Sequence, residues 1–417
     1  MASLISFDAQ EDTTTETTET TEITETTETT TATTKSNHID YNNIILSFGA
    51  IADVQYANSE NGADFKKTVV RRYRNSLKLL KAAIDEWTMQ EKTVGYPIQM
   101  IVQLGDLLDG RCQETNKDRD ICLQQILEQF NRMPSNVPRF DVIGNHELYN
   151  FTREELNDPN GPLHTSFSND EILQKPSTFF SRVIVAGIRI INLDAYEIST
   201  LNGEKEPTTV DAYNFLSTKN PNNIRAKGVD WANGLVGERK RFVPYNGAIS
   251  KEQLNWLRET LKISLERNER CIVLSHVSLQ QGCCAESCVV WNYEEVVSCL
   301  HNPTGTGDTP VVACLYGHAH KGGYIMDDRG IHHLTLQSPL EAIGDEVAFA
   351  TIDVTSNQLN VRGRGRVPSR VLWFPPISKP SATSSTTKEE DLTKEEEEHP
   401  STKKKELTKV EEYISKV

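Results

Sequence analysis

The chain has 417 residues, a formal net charge of −15 and eight cysteines. It is too long for one small module, and too sparse in cysteine for a disulfide framework. Its acidity, with no basic stripe carrying interleaved aromatics, excludes a nucleic-acid binder. No run of about 18 apolar residues is present, and MASLISFDAQEDTTTE lacks the basic and apolar regions of a secretory signal, so no membrane partner is expected and the expected state is a cytoplasmic monomer.

Residues 1–42 form an acidic Thr/Glu-rich segment in which Glu16, Glu19, Glu22, Glu25 and Glu28 recur at a spacing of three. That period matches neither a helix face nor a strand, and such sequence buries too little apolar surface to offset its chain entropy, so a disordered tail is expected. Met1 to Asp40 hold nine acids and one lysine, a net of −8, which leaves −7 for the rest. A charged low-complexity tail is expected over 376–417, where KEEEEHP and STKKKE occur.

Between them, 43–375 alternates short apolar runs with helical stripes. IILSFGAIAD predicts a strand; Val70, Tyr73, Leu77, Leu80, Ile84 and Trp87 recur at three and four, the stripe of an amphipathic helix. IQMIVQLGD predicts the next strand, ICLQQILEQFNRM a helix and RFDVIGN a third strand. After a long irregular segment, about 148–250, come a helix over Lys251 to Glu266, the strand CIVLSH, a helix over Tyr293 to Leu300 and the strand VVACLYGH. GGYIMDD, IHHLTLQ, EVAFATIDV and LNVRG then predict antiparallel strands, with His332 and His333 as ordinary strand residues. The order strand, helix, strand implies a layered α/β fold, in which ligands collect at the carboxyl ends of strands.

Polar residues stand at those ends: Asp53 and Gln55, Gly105-Asp106, Gly144-Asn145-His146-Glu147, His276, and Gly317-His318-Ala319-His320. One such residue is ordinary turn or core chemistry, but five corresponding strand ends are not. Glycines before Asp106, Asn145 and His318 are expected to turn the backbone so that the next side chain projects from the sheet edge. Three histidines, two aspartates, one asparagine and one glutamine suffice for two divalent cations sharing a carboxylate. Such a pair, about 3.5–4 Å apart, clamps the attacking and leaving oxygens of a phosphoryl transfer.

DVQ, GD, GNHE, SHV and GHAH, in that order, resemble the blocks of the calcineurin-like metallophosphoesterases over about residues 45 to 365. The resemblance implies a four-layer α-β-β-α sandwich. It implies one cation on Asp53, Gln55, Asp106 and His320, the other on Asp106, Asn145, His276 and His318, and His146 at the scissile phosphate, stabilising the leaving oxygen. Glu147 is expected either to orient His146 or to be structural.

Most members of that family have His where this chain has Gln55. An amide oxygen is harder than an imidazole and cannot be protonated, which shifts preference toward Mn²⁺, with Mg²⁺ second. Asp-x-Gln with GHAHKGGY, IHHLTLQSPLEA and VVWN resembles the manganese-dependent ADP-ribose/CDP-alcohol diphosphatase subgroup. That implies a small nucleotide-diphosphate substrate, cleaved to a nucleoside monophosphate plus ribose 5-phosphate or a phospho-alcohol. Ile143 where protein phosphatases of the family carry Arg, and Asp109 where purple acid phosphatases carry Tyr, argue against those subclasses. A cyclic nucleotide phosphodiesterase is the enzyme alternative, and a scaffold using the metal face to bind proteins is the non-enzyme alternative. Substrate choice is expected in the 148–250 insert and the loop from Gln280 to Trp291, with Tyr149, Tyr196 and Cys288 as candidate substrate residues. Phe179 and Phe180 are weighed there as base-stacking aromatics against a place in the local core. Cys288 is not expected to be a nucleophile, and the sequon Asn150-Phe151-Thr152 is read as chance.

Overall fold

A computed structural model describes residues 43–375 apart from 115, 162, 168, 169, 174 and 227. Both expected tails lie outside the described residues.

In chain order the strands are β1 (Leu46–Ile51), β2 (Gly62–Ala63), β3 (Val70–Arg71), β4 (Met100–Gln103), β5 (Arg139–Asp141), β6 (Phe180–Val185), β7 (Ile188–Asn192), β8 (Arg270–Leu274), β9 (Val311–Tyr316), β10 (Gly323–Met326), β11 (His332–Thr335), β12 (Ala348–Val354), β13 (Gln358–Gly365) and β14 (Arg370–Trp373). The α-helices are α1 (Tyr73–Val94), α2 (Asn116–Phe130), α3 (Asn145–Asn150), α4 (Arg153–Asn157), α5 (Pro207–Lys219), α6 (Lys251–Glu266) and α7 (Tyr293–His301).

Two six-stranded sheets form, in the orders β14-β13-β12-β1-β4-β5 and β10-β11-β9-β8-β7-β6. Alternation along the strands explains why they stack. Leu46, Phe48 and Ala50 of β1 and Met100 and Val102 of β4 share one buried cluster with Ile188 and Ile190 of β7, Ile272 and Leu274 of β8, and Leu315 of β9. The intervening residues Ile51, Ile101, Cys271 and Val273 face the other way, into a cluster with Leu80, Ile84 and Trp87 of α1 and Leu257 and Leu261 of α6. A sheet buried on both faces needs helices outside it, and the four-layer sandwich follows.

Three local expectations are corrected. Val70 lies outside the helix: it is 45 % exposed and pairs in the β2–β3 ribbon, so α1 begins at Tyr73. IHHLTLQ is antiparallel only to β10 and joins β9 in parallel. The 148–250 segment contributes β6 and β7 to the second sheet, with β7 paired in parallel to β8, so its middle belongs to the sandwich.

The strands that matter for the site run parallel, β1 with β4 with β5 in one sheet and β8 with β9 in the other. Their carboxyl ends therefore open at the same end of each sheet.

Candidate metal centre

Each of those ends carries one loop of the site. Asp53 and Gln55 follow β1, Asp106 follows β4, Asn145 opens α3 after β5, His276 follows β8, and His318 and His320 follow β9. The loops are stitched to one another before any ligand is considered. Asp53 N–H donates to Gly105 O at 3.0 Å, Gln55 N–H to Asp106 O at 2.8 Å, and Gly317 N–H to His276 O at 3.1 Å.

Carboxylates do much of the stitching. Both Asp53 oxygens accept from His318 N–H at 3.0 Å, and Asp106 Oδ1 accepts from His146 N–H at 2.8 Å. Glu147 accepts from three backbone groups, Asp106 N–H at 2.7 Å, Leu107 N–H at 2.8 Å and Gly144 N–H at 2.8 Å. It thus locks the turn after β4 to the turn after β5; these bonds run to the backbone rather than to the His146 ring. Burial, with the Asp106 carboxylate adding to it, pushes Glu147 up to about 7 against those three bonds.

The sharp turns are made by the ligand candidates themselves. Six described residues other than glycine have positive φ, and four of them are Asp53 (51°), Gln55 (42°), Asp106 (63°) and His318 (67°). Left-handed backbone at such residues costs on the order of 1–3 kcal/mol each and persists only where the surroundings enforce it. Of the three glycines expected to supply the turns, only Gly105 has positive φ, at 98°. Gly144 is extended (φ −104°, ψ 178°), and its role is close approach: a Cβ there would stand 2.1 Å from Asp106 Oδ1.

The protons around the histidines can be assigned from their partners. His276 Nδ1 lies 2.7 Å from Leu104 O and donates to it, so Nε2 presents a lone pair. Asn246 spends its amide hydrogens on Arg241 O and Ser287 O, so its oxygen accepts from His318 Nε2 at 2.8 Å and leaves His318 Nδ1 as a lone pair. His320 Nδ1 donates to Glu341 Oε1 at 2.9 Å, which frees its Nε2.

Those lone pairs converge. His276 Nε2 lies 3.3 Å from Asp106 Oδ2 and 3.2 Å from His318 Nδ1, which is itself 3.0 Å from Asn145 Oδ1. On the other side of Asp106, Gln55 Nε2 sits 2.9 Å from Asp106 Oδ2 and 3.1 Å from His320 Nε2, and Asp53 Oδ1 lies 3.6 Å from that same nitrogen. Gln55 Oε1 is buried with no hydrogen-bond partner. Turning the amide over would aim that orphaned oxygen at His320 and Asp106. Acceptors facing acceptors are stable only around positive charge, so this donor set fits two hard divalent cations sharing Asp106.

The electrostatics say the same. Burial pushes Asp53 up to about 6. Burial would also raise Asp106, but the His276 and His146 rings outweigh it and hold that carboxyl well below its usual range. His276 is driven down by burial yet ends at about 9, because the Asp106 and Asp53 carboxylates favour its proton. His318, desolvated beside His276, is held well below its ordinary value. A proton on His276 stands where a cation would, so cation binding must displace it and weakens as pH falls.

His146 lies beside this cluster, its Nε2 4.0 Å from Asp106 Oδ2. Its Nδ1 accepts from Gly110 N–H at 2.9 Å, which places the proton of the neutral ring on Nε2. Burial lowers its pKa. Tyr149, half-buried, packs edge-on to that ring with centroids 5.0 Å apart.

The other substrate candidates differ. Tyr196 has no exposure, and its hydroxyl bonds Asn145 Oδ1 and Tyr245 O at 3.2 Å each, so it is too deep to stack on a base and instead positions Asn145. Phe179 and Phe180 pack into the core against Trp256 and Phe140. Cys288 is half-buried on the loop beside Tyr245, its thiol pushed up to about 11 by burial and unsuited to attack. The Asn150 side chain is buried and donates to His146 O at 2.8 Å, which leaves the sequon no free amide.

Sequence reasoning missed four participants. Asn246 and Glu341 fix the two histidine tautomers, and Tyr245 packs 5.7 Å from the His318 ring. Arg71 carries a positive charge felt by His146, Tyr149 and Glu341, and its buried Nε has no hydrogen-bond partner. No ion pair involves it among the described residues.

Comparison with known proteins places this geometry. The model of the calcineurin-like phosphoesterase family matches residues 46–322. Curated relatives named manganese-dependent ADP-ribose/CDP-alcohol diphosphatase include one from Xenopus tropicalis, 36 % identical across 79 % of this chain and 94 % of its own. Another, from Homo sapiens, is 34 % identical across 79 % and 93 %. Among solved structures, a dimetal phosphatase from Danio rerio superposes with a TM-score of 0.70 at 30 % identity, covering 79 % of this chain and 99 % of that one.

Proposed function

Because the chain belongs to the calcineurin-like phosphoesterase family, we propose that it is a manganese-dependent diphosphatase that hydrolyses ADP-ribose and CDP-alcohols to a nucleoside monophosphate plus ribose 5-phosphate or a phospho-alcohol. The observation that carries this reading is the convergence of six side chains around Asp106, with Gln55 Oε1 orphaned among them. Asp53, Gln55, Asp106 and His320 would hold one cation, and Asp106, Asn145, His276 and His318 the other. When bound, two such cations supply an activated water and a positive clamp on the phosphoryl oxygens.

The chain's own residues do the rest. Leu104 O, Asn246 and Glu341 orient the histidines so that lone pairs rather than N–H groups face the centre. The Gly110 N–H keeps the His146 proton on Nε2, where it can hydrogen-bond the departing oxygen. A phosphate monoester is a weakly basic leaving group, so that hydrogen bond suffices without full proton transfer. The Arg71 guanidinium, whose buried Nε has no hydrogen-bond partner, offers its fork to the non-bridging oxygens of the diphosphate. Tyr149 packs beside His146 and Tyr245 beside His318.

The test is hydrolysis of ADP-ribose, CDP-choline, a cyclic nucleotide and a simple phosphomonoester with Mn²⁺ or Mg²⁺. Manganese-dependent cleavage of the first two supports the reading. Turnover of the cyclic nucleotide alone would transfer the site to the phosphodiesterase alternative, and no metal-dependent turnover would return it to a binding scaffold.

A further inference from the structure

Three arginines alternate at the end of β13. Arg362 pairs with Asp353 and reaches Gln90, and Arg364 pairs with Glu86 on α1. Arg366, two residues further and just past the strand, turns to the segment that follows β11. Its starting point is fixed: Arg366 N–H donates to Val347 O at 2.8 Å, and Gly365 before it has a φ of 57°. A Cβ on Gly365 would stand 2.0 Å from the same Val347 O, so this turn needs glycine.

The guanidinium then spans two contacts. Nη1 donates to Ser338 O at 2.7 Å, and Nη2 lies 3.6 Å from Glu341 Oε2. A planar fork with donors on both arms suits this double reach. Ser338 and Glu341 bracket a short 3-10 turn, and each touches the metal centre. Ser338, fully buried, donates from Oγ to Asp53 O at 2.8 Å and from its N–H to His320 O at 3.1 Å. Glu341 Oε1 accepts from His320 Nδ1 at 2.9 Å. Asp53 and His320 are therefore each one residue removed from Arg366.

On the dinuclear reading above, both belong to the same cation. The ligands of the other are held from different elements: His276 by Leu104 O, His318 by Asn246 and Asn145 by the Tyr196 hydroxyl. Resting on that reading, we propose that Arg366 is a positioning residue for the cation on Asp53, Gln55, Asp106 and His320, and acts on it through Ser338 and Glu341.

The physical effect is one of orientation. The Arg366 and Glu341 side chains are 19 % and 8 % exposed, so solvent ions screen their attraction poorly. Without the guanidinium, Glu341 keeps His320 as its partner but loses the charge that fixes its second oxygen, and Ser338 O loses a donor. The carboxylate that holds the His320 proton on Nδ1 and the hydroxyl that holds the Asp53 backbone both gain freedom. Loss of such outer partners typically weakens metal binding by about 10–100-fold.

The experiment titrates the full chain with Mn²⁺, following free manganese by its paramagnetic resonance signal, for wild type and Arg366→Gln. Hydrolysis of ADP-ribose is measured across the same manganese range, and melting of both metal-free proteins is recorded. Two sites are expected in wild type. In Arg366→Gln one of them should weaken by about 10–100-fold and the other by no more than about threefold. Turnover should fall at low manganese and return close to wild type at saturating manganese, which a merely structural defect would not do. Glu341→Gln removes the charge that draws Arg366 and should reproduce the one-site loss; it decides the matter if Arg366→Gln melts far below wild type. Unchanged affinities, equal weakening of both sites, or a turnover loss that manganese does not restore would each overturn the proposal. Wild type that binds fewer than two ions would instead defeat the dinuclear reading itself.

Discussion

Gly144→Ala adds one methyl group at the closest approach in the site. The extended backbone of Gly144 suits alanine, so no conformational strain is introduced, and stiffening the unfolded chain alone would stabilise by about 0.4–1 kcal/mol. Against this, the new Cβ would stand 2.1 Å from Asp106 Oδ1, 2.8 Å from Asp106 N and 2.9 Å from Glu147 Oε2. Real Cβ atoms essentially never lie under 3.0 Å from such a neighbour, so the shared carboxylate must retreat by about 1 Å. Overpacking of this kind costs about 1–3 kcal/mol, which outweighs the chain-entropy gain by a small margin. The fold should therefore survive with a slightly lower melting temperature, while a misplacement of about 1 Å at the shared ligand should cost about 10²-fold in kcat/KM. Thermal melts with and without Mn²⁺, metal content per chain and diphosphate hydrolysis would be measured together. A variant that keeps wild-type manganese content and turnover would refute the reasoning, because Asp106 could not then be the shared ligand.

Arg71→Gln removes the guanidinium proposed to meet the diphosphate while keeping much of the side chain. Losing a charge-assisted contact of about 1.5–3 kcal/mol should lower kcat/KM about tenfold to a hundredfold, with metal content unchanged; an unaltered value would remove Arg71 from the site. Asp327 tests stability far from the metal centre. Burial would raise its carboxyl, but hydrogen bonds from His301, His333 and the Ile331 N–H hold it well below its ordinary 3.8. A depressed folded-state value contributes stability above about pH 4 that is lost as pH falls through it. Denaturant unfolding at pH 7 should show Asp327→Asn less stable than wild type, the difference shrinking steadily below pH 4. A difference independent of pH would show that charge is not its source.

How far the sequence could be read depended on how local each signal was. Strands β1, β4, β8 and β9 are apolar runs broken by a carboxylate or histidine, so both the element and its functional end stood in one stretch of ten residues. The β6–β7 hairpin carried a signal too: FSRVIV and IRIIN flank the two-residue turn Ala186-Gly187, but the surrounding polar sequence masked it. The parallel pairing of β11 with β9 was not legible, because register is set by a partner rather than by the strand itself. Asn246 lies in an irregular loop, Glu341 in a 3-10 turn and Arg71 in a two-residue strand, and Asn246 and Glu341 act through histidines from other parts of the chain. Tyr196 shows the opposite failure. Its residue type suggested a stacking surface, and its depth made it a support for Asn145.

The central claim is that two cations share Asp106. The direct test is metal content per chain after manganese loading and desalting, measured for wild type and Asp106→Asn alongside hydrolysis of ADP-ribose. Two manganese ions are expected per wild-type chain and one or fewer in the variant, with turnover lost by about 10³-fold or more, since both the clamp and its charge depend on that carboxylate. An Asp106→Asn protein that still holds two ions and turns over substrate normally would contradict it.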